Sequence, residues 1–289
     1  MTKRFVFPLA AVVSVAATVA MTASAVGRAF GVVPAAPTGW VVSSADFTIP
    51  GGGQGLANAA CPAGLVPWGG GALAPDVWGA WLNGSLPEAA GGLSDWFADI
   101  YSPGDKAQTG TVYAVCAAAP ANYSENSGSW AVAPHHTKTG TVTCPLDPKT
   151  GIATDVLAGG AEQNEPFDGL TSIQSSYPNT IHSWRVVYNN PTSGTSSFDV
   201  VIVCGEPTMY RKVAGTHVTV APGAPGTATV ACPGKLVEAG GGGFIKPKAG
   251  TNVYTTGIVP RTDSFGYGID IQNASTNPVA LVPYAICVG

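Results

Sequence analysis

The sequence has few charged residues. Only 10% of its 289 residues are Asp, Glu, Lys or Arg, whereas about 25% is usual for a soluble protein. The formal net charge is −4, and a nucleic-acid-binding protein should be basic, so we exclude that class. Gly and Pro are abundant, but 45% of the residues are hydrophobic, which excludes a disordered chain.

Only one long apolar run is present, and it lies at the N-terminus. Lys3 and Arg4 precede 17 largely apolar residues that end at Met21, and Ala23-Ser24-Ala25 then has the small residues that a signal peptidase accepts. We predict a signal peptide over residues 1–25. A retained membrane anchor is disfavoured because a span needs about 20 residues. The mature chain is expected to be secreted or extracellular, in solution or at the cell wall, and not embedded in a membrane.

Motifs for nucleophilic catalysis and for metal binding are missing. The sequence contains no Gly-x-Ser-x-Gly and no Cys-x-x-Cys. The adjacent His135 and His136 would point to opposite faces of a strand, so they would not bind one metal ion together. The glycines at 240–243 are not followed by the helix that a phosphate-binding loop needs. We therefore predict no cofactor, no metal and no enzymatic activity.

The cysteines indicate disulfides and an internal repeat. An even number of Cys in an exported chain favours disulfides. The gaps between successive Cys are 55, 28, 60, 28 and 55 residues, which indicates a unit with two Cys that occurs three times. Each bond should stabilise the fold by roughly 3–4 kcal/mol in the loop-entropy model. The predicted bonds are Cys61–Cys116, Cys144–Cys204 and Cys232–Cys287.

Other motifs recur in the same order as the cysteines. Each unit opens with Pro-x-x-aromatic, continues through Cys-Pro and a glycine cluster, and has a second aromatic residue 20 positions before its last Cys. The opening aromatics are Trp40, Tyr123 and Tyr210, and the second aromatics are Trp96, Trp184 and Tyr267. The predicted organisation is a linker at 26–36 and repeats at 37–119, 120–206 and 207–289.

The repeats are expected to be all-β. Segments such as Thr227–Cys232 alternate between polar and small apolar residues, and turn residues recur about every 8–12 positions, as in a sandwich or barrel. We predict three tandem disulfide-tied β-sandwich-like repeats of five or six strands. The glycine clusters would lie in strands that another backbone or an aromatic ring approaches closely. Three arrangements remain: packing with pseudo-threefold symmetry, independent beads, or a single β-prism.

The motif order Cys-Pro-x-Gly, Gly-Gly-Gly, Trp and Tyr-Ala-x-Cys resembles a β-module of secreted actinobacterial proteins, which also ends bacterial collagen-like proteins. Repeat 1 carries it from Cys61-Pro-Ala-Gly64 to Tyr113-Ala-Val-Cys116, and repeat 3 ends in Tyr284-Ala-Ile-Cys287. Repeat 2 departs most, with Leu146-Asp147 after its Cys-Pro. The resemblance covers nearly the whole mature chain. It implies the fold and the location, and a trimer-like packing of the three copies, but no catalytic residues.

Two functions fit these features. The first is a structural or cell-surface role through contacts with an envelope protein or through self-association. The second is binding of a carbohydrate, such as a cell-envelope glycan or peptidoglycan, by exposed aromatic rings in repeat 1. The residues predicted for that site are Trp78, Trp81, Asn83 and Tyr101.

A secreted hydrolase is the more distant alternative. It would need two carboxyl groups on either side of a cleft. Acidic candidates occur in repeats 1 and 2, but none recurs in every repeat. These candidates are Asp76, Glu88, Asp95, Asp99, Glu162, Glu165 and Asp168.

Overall fold

The structure is a computed structural model that describes residues 35–74, 79–88, 94–164, 169–246 and 252–289. Within these ranges the chain forms 19 β-strands in three sheets and no helix, so the predicted all-β class is confirmed. No helix that could cross a membrane is found there. The predicted signal peptide and most of the predicted linker lie outside the described residues.

The strands follow the same order in each repeat. Repeats 1 and 2 have six strands, and repeat 3 has seven because its first strand is divided into two that both pair with its last strand. The strands of repeat 1 are β1 (Val41–Ile49), β2 (Gly53–Ala60), β3 (Val66–Leu73), β4 (Trp81–Glu88), β5 (Asp95–Ser102) and β6 (Gln108–Ala117). Those of repeat 2 are β7 (Ala121–Val132), β8 (His136–Thr143), β9 (Asp155–Gln163), β10 (Ser172–Pro178), β11 (Ser183–Asn190) and β12 (Ser196–Glu206). Those of repeat 3 are β13 (Tyr210–Ala214), β14 (Val218–Val220), β15 (Pro225–Ala231), β16 (Val237–Lys246), β17 (Val253–Arg261), β18 (Gly266–Asn273) and β19 (Val279–Val288).

Every sheet is shared by two repeats. Sheet A has the order β1-β6-β3-β17-β18-β15, sheet B the order β2-β5-β4-β9-β12-β7, and sheet C the order β13-β19-β16-β10-β11-β8. Repeats 1 and 3 therefore meet at β3–β17, repeats 1 and 2 at β4–β9, and repeats 2 and 3 at β16–β10. This pattern excludes independent beads. Each repeat is a sandwich of two half-sheets, and the three sheets surround one continuous core, as in the prism alternative.

The three predicted disulfides are present. In each repeat the first Cys directly follows the second strand, and the second Cys lies in the last strand. Cys61, for example, follows β2 and bonds to Cys116 in β6. These two strands belong to different sheets, so each bond holds the two half-sheets of one repeat together.

The glycine clusters lie where the repeats approach one another most closely. A Cβ atom at Gly69 would overlap the carbonyl group of Ala239, and one at Gly71 would overlap the carbonyl oxygen of Ile258, both in repeat 3. Gly70, between them, lies against the ring of Trp96. The close approach of backbone and ring explains the glycines, as predicted.

The second aromatic residue of each repeat is buried against its glycine cluster. Trp96 and Trp184 donate their indole hydrogens to Ser85 Oγ (2.9 Å) and Ser176 Oγ (2.8 Å). The hydroxyl of Tyr267 donates to the Ala239 carbonyl (3.2 Å). A buried ring therefore contributes both apolar contact and a satisfied polar group.

The opening aromatic residue of each repeat forms a hydrogen bond to the neighbouring repeat. In all three cases the acceptor is a backbone carbonyl at the same position of the glycine-rich strand. The bonds are Trp40 Nε1 to Glu238 O (2.9 Å), Tyr123 OH to Pro67 O (2.9 Å) and Tyr210 OH to Val156 O (3.0 Å). Repeat 1 thus binds repeat 3, repeat 2 binds repeat 1, and repeat 3 binds repeat 2, which closes a ring.

Candidate functional site

The three sheets differ sharply in charge. The six strands of sheet B are described in full, and they contain eight carboxylates but no Lys, Arg or His. The strands of sheet C contain five Lys or Arg residues and a single carboxylate, that of Glu238. The carboxylates of sheet B are Glu88, Asp95, Asp99, Glu125, Asp155, Glu162, Asp199 and Glu206.

A groove of about 380 Å³ crosses the outer face of sheet B at the junction of repeats 1 and 2. It extends over five adjacent strands, from β5 to β7, which at about 4.8 Å per strand spans about 19 Å. Its wall is mixed, with apolar side chains between three carboxylates. The groove is lined by Leu86, Pro87, Glu88, Phe97, Glu125, Asn126, Ser127, Glu162 and Val201.

Gly84 leaves a gap between two carboxyl-bearing residues beside this groove. It pairs with Asp99 on one side and lies next to Glu162 on the other, because the adjacent Ser85 pairs with Ala161. A Cβ atom at Gly84 would lie 3.2 Å from the Cβ of Asp99 and 3.3 Å from the Cβ of Glu162. The Cε1 atom of Phe97 lies equally close, at 3.3 Å, so the side chains of Asp99, Glu162 and Phe97 surround the position that a side chain at Gly84 would occupy.

Asp99 is 2% exposed. Gln54 Nε2 donates to its Oδ2 (2.9 Å), while Oδ1 has no hydrogen-bond partner within the described residues. Asp99 lies on the same face of β5 as Phe97, which lines the groove. Its unpartnered oxygen is therefore buried next to the groove and is not exposed in it.

Three carboxyl groups in or next to the groove, those of Asp99, Glu125 and Glu162, have raised pKa values. Burial raises the pKa of Asp99 to about 7, and the charge of Glu162 adds to the effect against the opposing hydrogen bond from Gln54. Burial also raises the pKa of Glu162 to about 6, with added repulsion from Asp199 and Glu88. The pKa of Glu125 is raised by burial alone. Desolvation by burial is the first cause of all three pKa shifts, and the strands of sheet B carry no positive charge that would oppose it.

The aromatic site predicted in repeat 1 is held partly inside the fold. Trp81 stacks on Tyr254 with ring centroids 4.9 Å apart and lies 5.0 Å from Tyr101. Its indole nitrogen donates to the carbonyls of Gly169 and Thr171, both at 3.2 Å. Trp81 and Tyr101 retain partial exposure.

Asn83, another residue of the predicted aromatic site, is buried. Asn83 is 0% exposed in a β-bulge of β4, and its backbone carbonyl accepts a hydrogen bond from Tyr188 (2.7 Å). A ligand at the surface would not reach its side chain. Trp78 lies outside the described residues.

The strand register gives Trp81 an aromatic counterpart in repeat 3. Trp81 has no aromatic counterpart when the loops are compared, but in the structure Tyr254 occupies the equivalent place in repeat 3. Trp81 opposes Tyr101, and Tyr254 opposes Gln272, five residues after the second aromatic of each repeat. A small apolar pocket of about 270 Å³ lies beside these two rings and is also lined by Gly79, Ala80, Gly223, Gln272 and Ala274.

Four of the acidic candidates come together in the structure. Glu88 and Glu162 line the groove, Asp99 lies beneath it, and Asp95 pairs with Glu88 across strands β5 and β4. Asn58 Nδ2 donates to Glu88 Oε2 (2.6 Å) and to Asp95 Oδ2 (3.5 Å). Asp270 stands at the position of Asp99 in repeat 3, a recurrence that the sequence comparison missed. Asp76, Glu165 and Asp168 lie outside the described residues. Within the described ranges, no group of three or more His, Cys, Asp or Glu residues is arranged to hold a metal ion.

The chain matches no protein-family model and no curated protein sequence. Three disulfides are typical of proteins that fold in an oxidising, extracellular environment. The geometry and charge of the groove are therefore the main guide to function.

Proposed function

We propose that this protein is secreted and acts outside the cell as a non-catalytic binding protein, taking a cationic partner into the acidic groove of sheet B. The observation that carries this proposal is a groove of about 380 Å³ lined by Glu88, Glu125 and Glu162 on a sheet without a basic residue. Such a surface attracts and orients a positively charged partner. The N-terminal signal-like segment and the disulfides support secretion.

Binding is favoured over hydrolysis by the burial of Asp99. A glycoside hydrolase needs a protonated carboxyl group in contact with the scissile bond. Of the neighbouring acids Asp99 and Glu162, Asp99 has the higher pKa, but it is 2% exposed and hydrogen-bonded to Gln54. It is therefore placed to tune the charge of the groove and not to touch a substrate.

Tetralysine should bind to the protein at pH 8 and low ionic strength, and tetraglutamate should not. The double variant Glu125→Gln/Glu162→Gln should bind tetralysine at least about tenfold more weakly, because it removes two of the three charges that line the groove. Isothermal titration calorimetry measures both affinities.

The matched control is Asp46→Asn/Asp105→Asn, which removes the same number of charges outside sheet B, at two exposed residues. Its affinity for tetralysine should stay within about twofold of the wild type, since separated exposed charges are screened. Equal losses in the two double variants would show a general effect of net charge and would contradict the groove.

Carbohydrate binding is the second candidate, favoured by the apolar pocket beside Trp81 and Tyr254. Aromatic rings next to a polar rim suit the faces of sugar rings. Retention on insoluble glycans or peptidoglycan should then be lost in Trp81→Ala and kept in Trp130→Ala, which removes another partly buried Trp that packs on Phe198. Equal retention of both variants would exclude this site.

A further inference from the structure

The junction of repeats in sheet C is a structural counterpart of the groove in sheet B. Ser176 pairs with Gly243 at the junction in sheet C, as Ser85 pairs with Ala161 in sheet B. Matching positions in the two sheets are found by counting residues from these junction pairs, from the last Cys of a repeat and from its opening aromatic residue. Leu86, Glu162, Val201 and Glu125 of sheet B correspond to Tyr177, Phe244, Tyr284 and Lys212 of sheet C.

In sheet C this position is filled by the protein's own side chains. The ring of Tyr177 lies 5.1 Å from that of Phe244 and 5.6 Å from that of Tyr284, measured between centroids. The ammonium group of Lys212 lies 5.7 Å from the centroid of the Tyr284 ring. It donates to the carbonyl oxygens of Pro178 (3.3 Å) and Asn179 (2.9 Å). A primary ammonium group is thus bound there by two backbone carbonyls and an aromatic face.

In sheet B the same position is open. Leu86 and Val201 are smaller than the two tyrosines that they replace, and Glu162 replaces a phenylalanine, so the aromatic filling is missing. Pro178 and Asn179, whose carbonyl oxygens accept hydrogen bonds from Lys212, correspond to Pro87 and Glu88, which both line the groove.

The charge at this position is inverted as well. Glu125 stands where sheet C has Lys212, and its Oε1 is enclosed without a hydrogen-bond partner within the described residues. Asp99 Oδ1, beneath the same groove, is a second buried oxygen without a partner there. The groove therefore has the acceptors for an ammonium group, but no ammonium group of its own.

We propose, resting on the proposed function above, that the groove binds a primary ammonium group on an unbranched alkyl chain, held by the carbonyls of Pro87 and Glu88 and the carboxylate of Glu125. A primary ammonium group has three N–H donors, which match these three acceptors. A quaternary ammonium group has none, and a guanidinium group fixes its donors in one plane. Lysine side chains and free polyamines share this chemistry.

In sheet A the corresponding position has no acidic side chain, so the fold alone does not supply the carboxylate acceptors. Its residues there are Val42, Leu73, Tyr113 and Val259, none of which carries a charge at neutral pH. The residue that corresponds to Glu88 is Arg261, which pairs with Asp263 at 2.7 Å. The combination of open space and acidic acceptors therefore occurs in sheet B and not in its two counterparts.

The decisive measurement compares two dications of equal charge and chain length by calorimetry at pH 8 and low ionic strength. 1,5-Diaminopentane should bind at least about tenfold more tightly than its fully methylated analogue, 1,5-bis(trimethylammonium)pentane, which has no N–H donor. Equal affinities would overturn the ammonium site but leave the proposed function intact. If neither dication nor tetralysine binds, both proposals fail.

A variant that copies sheet C tests the position of the site. Glu125→Lys should place the protein's own ammonium group between the Pro87 and Glu88 carbonyls and abolish binding of 1,5-diaminopentane. The control Glu125→Gln/Ser127→Lys makes the same total change in charge but places the lysine two residues along β7, also in the groove lining, and should weaken binding at least about tenfold less. Equal losses of affinity would show charge repulsion alone and would overturn the site. The thermal transition of each variant checks that it is folded.

The same titrations identify the source of the ammonium group. Tighter binding of tetralysine than of 1,5-diaminopentane supports a lysine-bearing polypeptide, since further residues then contact the groove. Tighter binding of the diamine supports a free polyamine.

Discussion

Replacing Gly160 with Ala should lower the free energy of unfolding by about 3 kcal/mol, at the upper end of the usual overpacking range. A Cβ atom at Gly160 would overlap the carbonyl oxygen of Ser85, which is backbone and not a flexible side-chain end. Ser85 also forms the junction pair with Ala161 that joins the two halves of sheet B. Relief of the overlap would therefore separate β4 from β9, and the melting temperature should fall by roughly 6–12 °C.

Gly194→Ala is the matched control for this variant. A Cβ atom at Gly194 would have no neighbour within 4 Å, and its backbone is not in the left-handed region. Its melting temperature should stay within about 2 °C of the wild type, because an unstrained Gly→Ala change at an exposed turn has a small effect. If Gly160→Ala is equally harmless, the repeats do not meet at β4 and β9 as described.

Asp99→Asn should stabilise the protein at pH 8 and have little effect near pH 4. The folded state keeps the proton of Asp99 up to a pKa of about 7, whereas the unfolded chain releases it near 3.8. Wild-type stability therefore falls as the pH rises through this window and stays lower above it. Asn does not ionise, so the variant escapes a loss of up to about 4 kcal/mol.

Thermal unfolding measured from pH 4 to pH 8 checks this prediction, and the difference between variant and wild type should grow with pH. Asp46→Asn, a change at an exposed carboxylate of sheet A, should show no such growth. A variant that is less stable than the wild type at pH 8 would show that the ionised Asp99 is well solvated, which would contradict its burial in the structure.

The features of each repeat could be predicted from the sequence because they depend on short spacings. The distance of 20 residues from Trp96 to Cys116, and its recurrence in the other repeats, marks one strand order and one disulfide. The glycine cluster could be assigned to a crowded strand because no helix pattern follows Gly243. Both inferences rest on local pattern and were confirmed.

The arrangement between repeats could not be predicted in the same way. Alternation of side chains shows that β4 is a strand, but not that its neighbour is β9 of the next repeat. The groove has the same origin, since Phe97, Glu125 and Glu162 come from strands that are distant in sequence. A position-by-position comparison anchored on the opening aromatics would have paired Glu125 with Lys212. Trp81 and Tyr254 each lie six residues before a proline, Pro87 and Pro260, so an alignment on these prolines would have paired them.

The three sheets have equivalent strand arrangements but different side chains on their outer faces. The positions at the junctions are filled by aromatics and a lysine in sheet C, by uncharged side chains in sheet A, and by acids around open space in sheet B. The strand order and the disulfide are the same in each repeat, so the outward side chains are free to differ. Binding properties should therefore be assigned to individual sheets and not to the repeat.

Sheet A joins β3 to β17, two strands that are separated by more than half of the chain. During synthesis, repeat 1 is complete long before its partner in this sheet exists, and non-local pairing of this kind is slow to form. A chain that stops after repeat 2 would leave the edges of β3 and β10 uncovered, and open strand edges promote aggregation. Two of the three sheets need strands of repeat 3. We therefore expect a prematurely terminated chain to expose these edges and to aggregate, whereas the complete chain covers them.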